Sequence, residues 1–139
     1  MMEITELKVG MSSVAEDIVT EDKLANAMGS GSLAVYATPA MTCLMEKAAA
    51  DLAQRCLPDG WTSVGISLRV AHKAPTPPGM KVRAEARVTA IDGRKISYEV
   101  HAFDETEDIG SGTHERCAVP SEKFRQKAEA KGKGHIRIP

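Results

Sequence analysis

The chain has 139 residues, 42% hydrophobic and 27% charged, which suits one globular domain with a core of its own. A formal net charge of -1 offers no basic field for nucleic acid and no strongly acidic face. No apolar run is long enough to cross a bilayer, and Met1–Gly10, which carries Glu3, Glu6 and Lys8, does not read as a signal peptide.

Cys43, Cys56 and Cys117 are odd in number, widely spaced and free of a CxxC pair. That pattern argues against a disulfide framework and against a zinc site. The expectation is a cytoplasmic protein with no metal, no membrane partner and no nucleic-acid partner. The aromatics are few, namely Tyr36, Trp61, Tyr98, Phe103 and Phe124, so the core must rest on Val, Ile, Leu, Met and Ala.

Residues 11–19 read as a short strand with Val14, Ile18 and Val19 as its apolar members. Residues 20–37 have no period and contain Gly29-Ser30-Gly31-Ser32, the mark of a loop with room for one helical turn. Thr38-Pro39 signals a helix start, since Thr caps free N–H groups and Pro suits the first helical position. The helix is expected to run to about Leu57, before Pro58-Asp59-Gly60. Met41, Leu44, Met45, Ala48, Ala49, Leu52 and Cys56 form one apolar face. Ala40, Cys43, Ala50 and Ala53 make the other side small and apolar too, the pattern of a buried helix.

Four strands are expected after it. Residues 62–72 alternate, with Val64, Ile66, Leu68, Val70 and His72 on one face. Three prolines in Lys73–Gly79 end that strand. Residues 80–91 alternate through Met80, Val82, Ala84, Ala86, Val88 and Ala90, and Asp92-Gly93 signals a tight hairpin. Residues 94–103 return with Ile96, Tyr98, Val100 and Ala102 on one face. After the acidic turn Glu105–Asp108, residues 109–119 form the last strand. A basic tail follows, expected to hold a short helix and to fray from about residue 125.

The whole chain, residues 1–139, thus reads as a single α+β domain: one long buried helix wrapped by a curved, mostly antiparallel, five-stranded sheet. One sheet covers one side of a helix, so a helix apolar on both sides calls for a second cover, which a partner subunit could provide.

Asp108–Arg116 reads Asp-Ile-Gly-Ser-Gly-Thr-His-Glu-Arg, followed by Glu122-Lys123-Phe124. His72 precedes Thr76-Pro77-Pro78-Gly79, and Thr38 precedes Leu44-Met45-Glu46. In these features the chain resembles the fluoroacetyl-CoA thioesterase family from about Val35 to Phe124. The resemblance implies a hot-dog fold, a homodimer with a dimer of dimers left open, and hydrolysis of a short-chain acyl-CoA. It further implies Thr38, Glu46 and His72 as catalytic residues, and Gly65 and Arg116 as substrate-binding residues. Coenzyme A would be part of the substrate, with no separate cofactor. The fluoroacetyl-specific member carries aromatic lid residues before its catalytic Thr, whereas Ala27–Ala34 here holds glycines and serines and no Phe. A fluorinated acyl group is therefore not the expected substrate.

Thioester hydrolysis needs a nucleophile or base, donors for the oxyanion, and a proton source for the thiolate. Glu46 lies in a nearly apolar helix segment, where a carboxylate is either functional or solvated and paired. His72 shares a face with apolar side chains, as either a satisfied core residue or a cleft residue. Thr38 has a sufficient explanation as a cap, although free N–H groups at a helix start also suit a carbonyl oxygen. Arg116 could orient Glu46, contact a phosphate, or pair with Glu115 or Glu99. His114 has the parity to share a side with Arg116. Thr38 and Glu46 are eight residues apart, about 12 Å along a helix, which predicts a site built from two subunits. A non-catalytic acyl-CoA-binding protein on the same fold is the alternative.

Overall fold

A computed structural model describes residues 4 and 6–134. Five strands form one antiparallel sheet in the order β1-β3-β4-β5-β2. They are β1 (Ser12–Ile18), β2 (Trp61–His72), β3 (Lys81–Asp92), β4 (Lys95–Asp104) and β5 (Asp108–Pro120). The loop after β1 holds a 3-10 turn, Glu21–Lys23, and a single turn α1 (Ala25–Met28). The long helix α2 (Thr38–Cys56) then crosses the sheet, packing against β1, β2, β3 and β4.

The core is the α2 face predicted from its spacing, with two differences: Ala53, expected on the far side, is buried, and Cys56 is only half-buried. Met41, Leu44, Met45, Ala48, Ala49 and Leu52 are buried with Ala53, each Leu or Met worth roughly 1.5–3 kcal/mol on transfer from water. Opposite lie Val82, Ala84, Ala86 and Val88 of β3, and Ile96, Tyr98, Val100 and Ala102 of β4. Alanines on both surfaces let the helix approach closely. The Tyr98 hydroxyl donates to the Ala49 carbonyl at 3.1 Å and ties β4 to α2. Burial pushes that phenol up to about 12.

The outer face of α2 is less apolar in its setting than in composition. Cys43, Lys47, Asp51 and Gln54 are exposed within the single chain, and Lys47 pairs with Asp51. Among the described residues no helix is long and apolar enough to span a membrane.

Two bulges overturn the expected alternation. In β2 the pairing shifts between Gly65 and Ser67, so Ile66 is the extra residue. It is turned out and 53% exposed. Leu68, Val70 and His72 keep one parity, but Val64 pairs with Cys117 on the opposite face. Ser63 and Gly65 take the helix side instead, opposite Ala118 and Arg116. In β3 a second shift between Val88 and Ala90 turns Ala90 outward, opposite Ser97. In β1, Val14 and Ile18 also face out, while Ala15 is buried.

The end of the described chain differs from expectation as well. Helix α3 (Ser121–Lys133) continues past residue 125, supported at the surface by Arg125 between Glu122 and Glu129. The rest of the basic tail, with His135 and Arg137, lies outside the described residues.

Candidate active site

Each implied site residue falls into one of two polar clusters. The first joins the start of α2 to the end of β2. Thr38 begins α2, yet the preceding Ala37 occupies the cap position and no side chain caps the helix. The Thr38 hydroxyl is instead hydrogen-bonded to His72 Nδ1 at 2.8 Å, which corrects the capping expectation. The proline-rich loop holds this pair together. Lys73 N donates to the Ile109 carbonyl, and Tyr36 N donates to the Thr76 carbonyl at 2.9 Å. Thr76, fully buried, donates through Oγ1 to Asp104 at 2.8 Å. The segment entering α2 is thereby fastened beside the segment leaving β2.

A cavity of about 310 Å³ opens on this cluster, lined in part by Ser30, Tyr36, Thr38, His72 and Lys73. Burial lowers the His72 pKa from its ordinary value, so the ring is neutral at neutral pH and able to accept the Thr38 proton. His72 Nε2 and the Tyr36 hydroxyl are buried with no hydrogen-bond partner among the described residues.

The second cluster lies where α2 passes over the β2 bulge. Arg116 on β5 is 7% exposed. Its Nε donates to Ser63 Oγ at 2.8 Å and its Nη2 to the Ser63 carbonyl at 3.0 Å. Its Nη1 stands 3.6 Å from Glu46 Oε2, so a cation faces the carboxylate. The alternative partners are engaged elsewhere, Glu115 with Lys95 and Glu99 with Arg87. Burial lowers the Arg116 pKa, against the opposing pull of Tyr98 and Glu46.

Gly65 makes room for this arrangement. A Cβ there would stand 2.7 Å from Glu46 Oε2 and 3.4 Å from Arg116 Nη1. Glu46 is not sealed in, because 44% of its side chain is exposed. It borders a cavity of about 230 Å³ with Gly65, Ile66, Ser67, Leu68 and His114. A larger cavity of about 550 Å³, between β1, β3 and the end of β4, contains none of the candidate residues. Among the described residues no three His, Cys, Asp or Glu side chains gather as a metal site.

Two members of the second cluster carried no assigned role in the sequence. Ser63 was unreadable because strict alternation sends it outward. His114 had a readable parity, and the structure buries it on the Arg116 side. Its Nδ1 is 2.8 Å from the Ser67 carbonyl and its Nε2 is 3.1 Å from Arg116 Nη1.

A long helix laid on a five-stranded antiparallel sheet in this order is the hot-dog fold, here with polar clusters at the helix start and over the edge strand. The model of the fluoroacetyl-CoA-specific thioesterase family (FlK) matches residues 19–122. The fluoroacetyl-CoA thioesterase of Streptantibioticus cattleyicolor is 41% identical over 97 residues, 70% of each chain. A crystal structure of a threonine-to-serine mutant of a fluoroacetyl-CoA thioesterase in complex with acetyl-CoA superposes with a TM-score of 0.85 at 34% identity, covering 90% of this chain and 98% of that one. A hot-dog-like protein from Thermanaerovibrio acidaminovorans shares the fold, with a TM-score of 0.86 at 21% identity over 96% of this chain and all of the other. The chain belongs to the fluoroacetyl-CoA-specific thioesterase family and is an acyl-CoA thioester hydrolase.

Proposed function

We propose that the protein hydrolyses a short-chain acyl-CoA to the free acid and coenzyme A, working as a homodimer. Thr38, Glu46 and His72 are its catalytic residues; Gly65 contacts the substrate, and Arg116, buried with its nitrogens on Ser63 and His114, serves substrate binding through Glu46 rather than by direct contact. The observation that carries this reading is the Glu46 carboxylate, open to a cavity over Gly65 and 3.6 Å from a buried guanidinium. The acetyl-CoA complex of the related enzyme supports a small acyl group. Coenzyme A enters as part of the substrate, and no other cofactor is assigned.

Hydrolysis makes a C–O bond at the thioester carbon and breaks the C–S bond. Glu46 either takes a proton from the attacking water or attacks first, giving an anhydride that water opens. Negative charge grows on the carbonyl oxygen, where backbone N–H groups at Gly65 and at the uncapped start of α2 are suitable donors. The thiolate departs as a good leaving group and takes up the proton released by the attacking water, which His72, neutral and engaged with Thr38 through Nδ1, relays rather than supplies.

Geometry favours a two-subunit site. Thr38 and Glu46 border different cavities and are about 12 Å apart along the helix. Strand β2 is an edge strand of 12 residues, and exposed Ile66 borders the Glu46 cavity. A bare edge of this length invites pairing. A second copy along it would cover Ile66 and bring its own α2 toward this cavity, and such dimers could pair again. The proposed location is the cytoplasm, where the three free thiols remain reduced.

The test is thiol release from a panel of acyl-CoA substrates by wild type, Glu46→Ala and His72→Ala. Each variant is expected to lose about 100-fold or more in kcat. Undiminished hydrolysis in both rejects the residue assignment.

A further inference from the structure

We propose that His114 is a positioning residue for Glu46: as a neutral hydrogen-bond acceptor it fixes the Arg116 guanidinium so that one hydrogen, and only one, faces the carboxylate. The inference rests on reading Glu46 as the acting carboxylate, and it adds the group that keeps this carboxylate free to act.

The Ser67 carbonyl can only accept, so His114 Nδ1 at 2.8 Å must donate to it. The neutral ring then has a lone pair on Nε2. Arg116 Nη1, 3.1 Å away, can only donate, and it donates there. An imidazolium would place a second N–H against a guanidinium N–H in a buried site, so the cluster requires the neutral Nδ1–H tautomer. The ring has no freedom to turn away. It is 1% exposed and lies stacked on Tyr98 with centroids 5.9 Å apart.

The guanidinium is a planar fork, and its orientation follows from three bonds. Nε and Nη2 are committed to Ser63 Oγ and to the Ser63 carbonyl. Nη1 has two hydrogens. One goes to His114 Nε2, and the other is left for Glu46 Oε2 at 3.6 Å. That separation is longer than a charge-assisted hydrogen bond, which closes at about 2.7–2.9 Å. Arg116 therefore attracts Glu46 without closing on it, and the carboxylate lone pairs stay available to water or to the thioester carbon. Remove the acceptor at His114 and both Nη1 hydrogens are unspent. The cheapest way to satisfy them is to swing onto Glu46, which would tie up the carboxylate.

The experiment compares wild type with His114→Leu, His114→Gln and Glu46→Ala in acetyl-CoA hydrolysis, together with the imidazole nitrogen NMR spectrum of the wild type. His114→Leu is expected to lower kcat about tenfold or more while KM stays within about twofold, since a small misplacement of a reacting group acts on the chemical step. His114→Gln can accept from Arg116 and donate to Ser67, and it should return kcat to within about threefold of wild type. A ring that merely fills space would show no such rescue. The NMR spectrum should show the neutral Nδ1–H tautomer of His114 at about pH 7. Wild-type kcat in His114→Leu, a Gln variant as poor as the Leu variant, or an Nε2–H or doubly protonated ring would each overturn the proposal. If His114→Leu does not fold, the Gln variant and the spectrum decide. Inactive Glu46→Ala with unimpaired His114→Leu overturns this proposal alone, whereas full activity in Glu46→Ala overturns the carboxylate reading and this proposal with it.

Discussion

Replacing Gly65 by alanine separates the site from the scaffold. The added methyl would sit 2.7 Å from Glu46 Oε2, 3.3 Å from His114 Cε1 and 3.4 Å from Arg116 Nη1. The last two are tight but tolerable. The first is not, so the carboxylate oxygen must withdraw by about 0.7 Å to reach ordinary contact. It can do so, because Glu46 is a flexible side chain with nearly half its surface exposed. The strand keeps its backbone, and alanine restricts the unfolded chain, a gain of about 0.4–1 kcal/mol that offsets the local crowding. The expected melting temperature is therefore within about 5 °C of wild type. Catalysis has no such tolerance. A displacement approaching 1 Å of a reacting group costs up to about 100-fold, and a loss of between 10- and 100-fold in kcat is expected. Thermal melting and thiol release on the same preparation check both halves. Wild-type kcat with an unchanged melt would refute the claim that Glu46 acts from its position over Gly65. A large fall in melting temperature would refute the claim that the crowding is confined to a movable side chain.

Three further outcomes are expected. Arg116→Lys keeps the charge, but a single ammonium cannot meet Ser63 Oγ, the Ser63 carbonyl and His114 Nε2 in one plane. Buried acceptors are left unpaired at about 1–3 kcal/mol, and a chemical denaturation curve indistinguishable from wild type would refute the clamp. Acid should destabilise the protein through His72 and His114, whose pKa values burial lowers from 6.5. The unfolded chain takes up protons first, so their contribution is complete above pH 6.5 and is lost as pH falls toward the depressed folded values. One such proton difference commands up to about 1.4 kcal/mol per pH unit, and an unfolding free energy that is flat from about pH 7 to 5 in wild type would refute it. At the alkaline end both tyrosines are held protonated by burial, Tyr98 up to about 12 and Tyr36 higher. Native protein should show only about a tenth or less of the full phenolate absorbance at about pH 11, where a free tyrosine is mostly ionised, and stability should fall as pH rises above the ordinary value of 10.

Elements dominated by local signals were legible in the sequence. Pro39 near the start of α2 and the turn Pro58-Asp59-Gly60 bracket the helix to within a residue, and the alternation of β4 holds along its whole length. The pairing of Thr38 with His72 was not legible as a contact, because 34 residues separate them. It depends on Thr76 and Asp104 fastening one loop to another. The side of β2 that faces α2 was misread for a different reason. A bulge is one unpaired residue, and nothing in Ser63–Leu68 announces which residue it will be. Counting back from His72 by twos reaches Ile66 and Val64, two apolar positions that look like core, and hides Ser63.

That misreading shows what the bulge accomplishes. Were Ile66 paired in the ladder rather than bulged out of it, Val64 and Ile66 would share the helix side with Leu68, and Ser63 and Gly65 would point away. Arg116 would then be a buried cation without its Ser63 partners, a state that costs several kcal/mol. A side chain at the position facing Glu46 would also fill the space the carboxylate now occupies. The fold instead interrupts its ladder, exposes an isoleucine on an edge strand, and turns a serine and a glycine inward. Apolar burial under α2 is surrendered at the one place where a guanidinium, a neutral imidazole and a carboxylate must be held within reach of each other. A strand optimised for stability alone would keep the alternation, so the interruption of β2 belongs to the chemistry of the site.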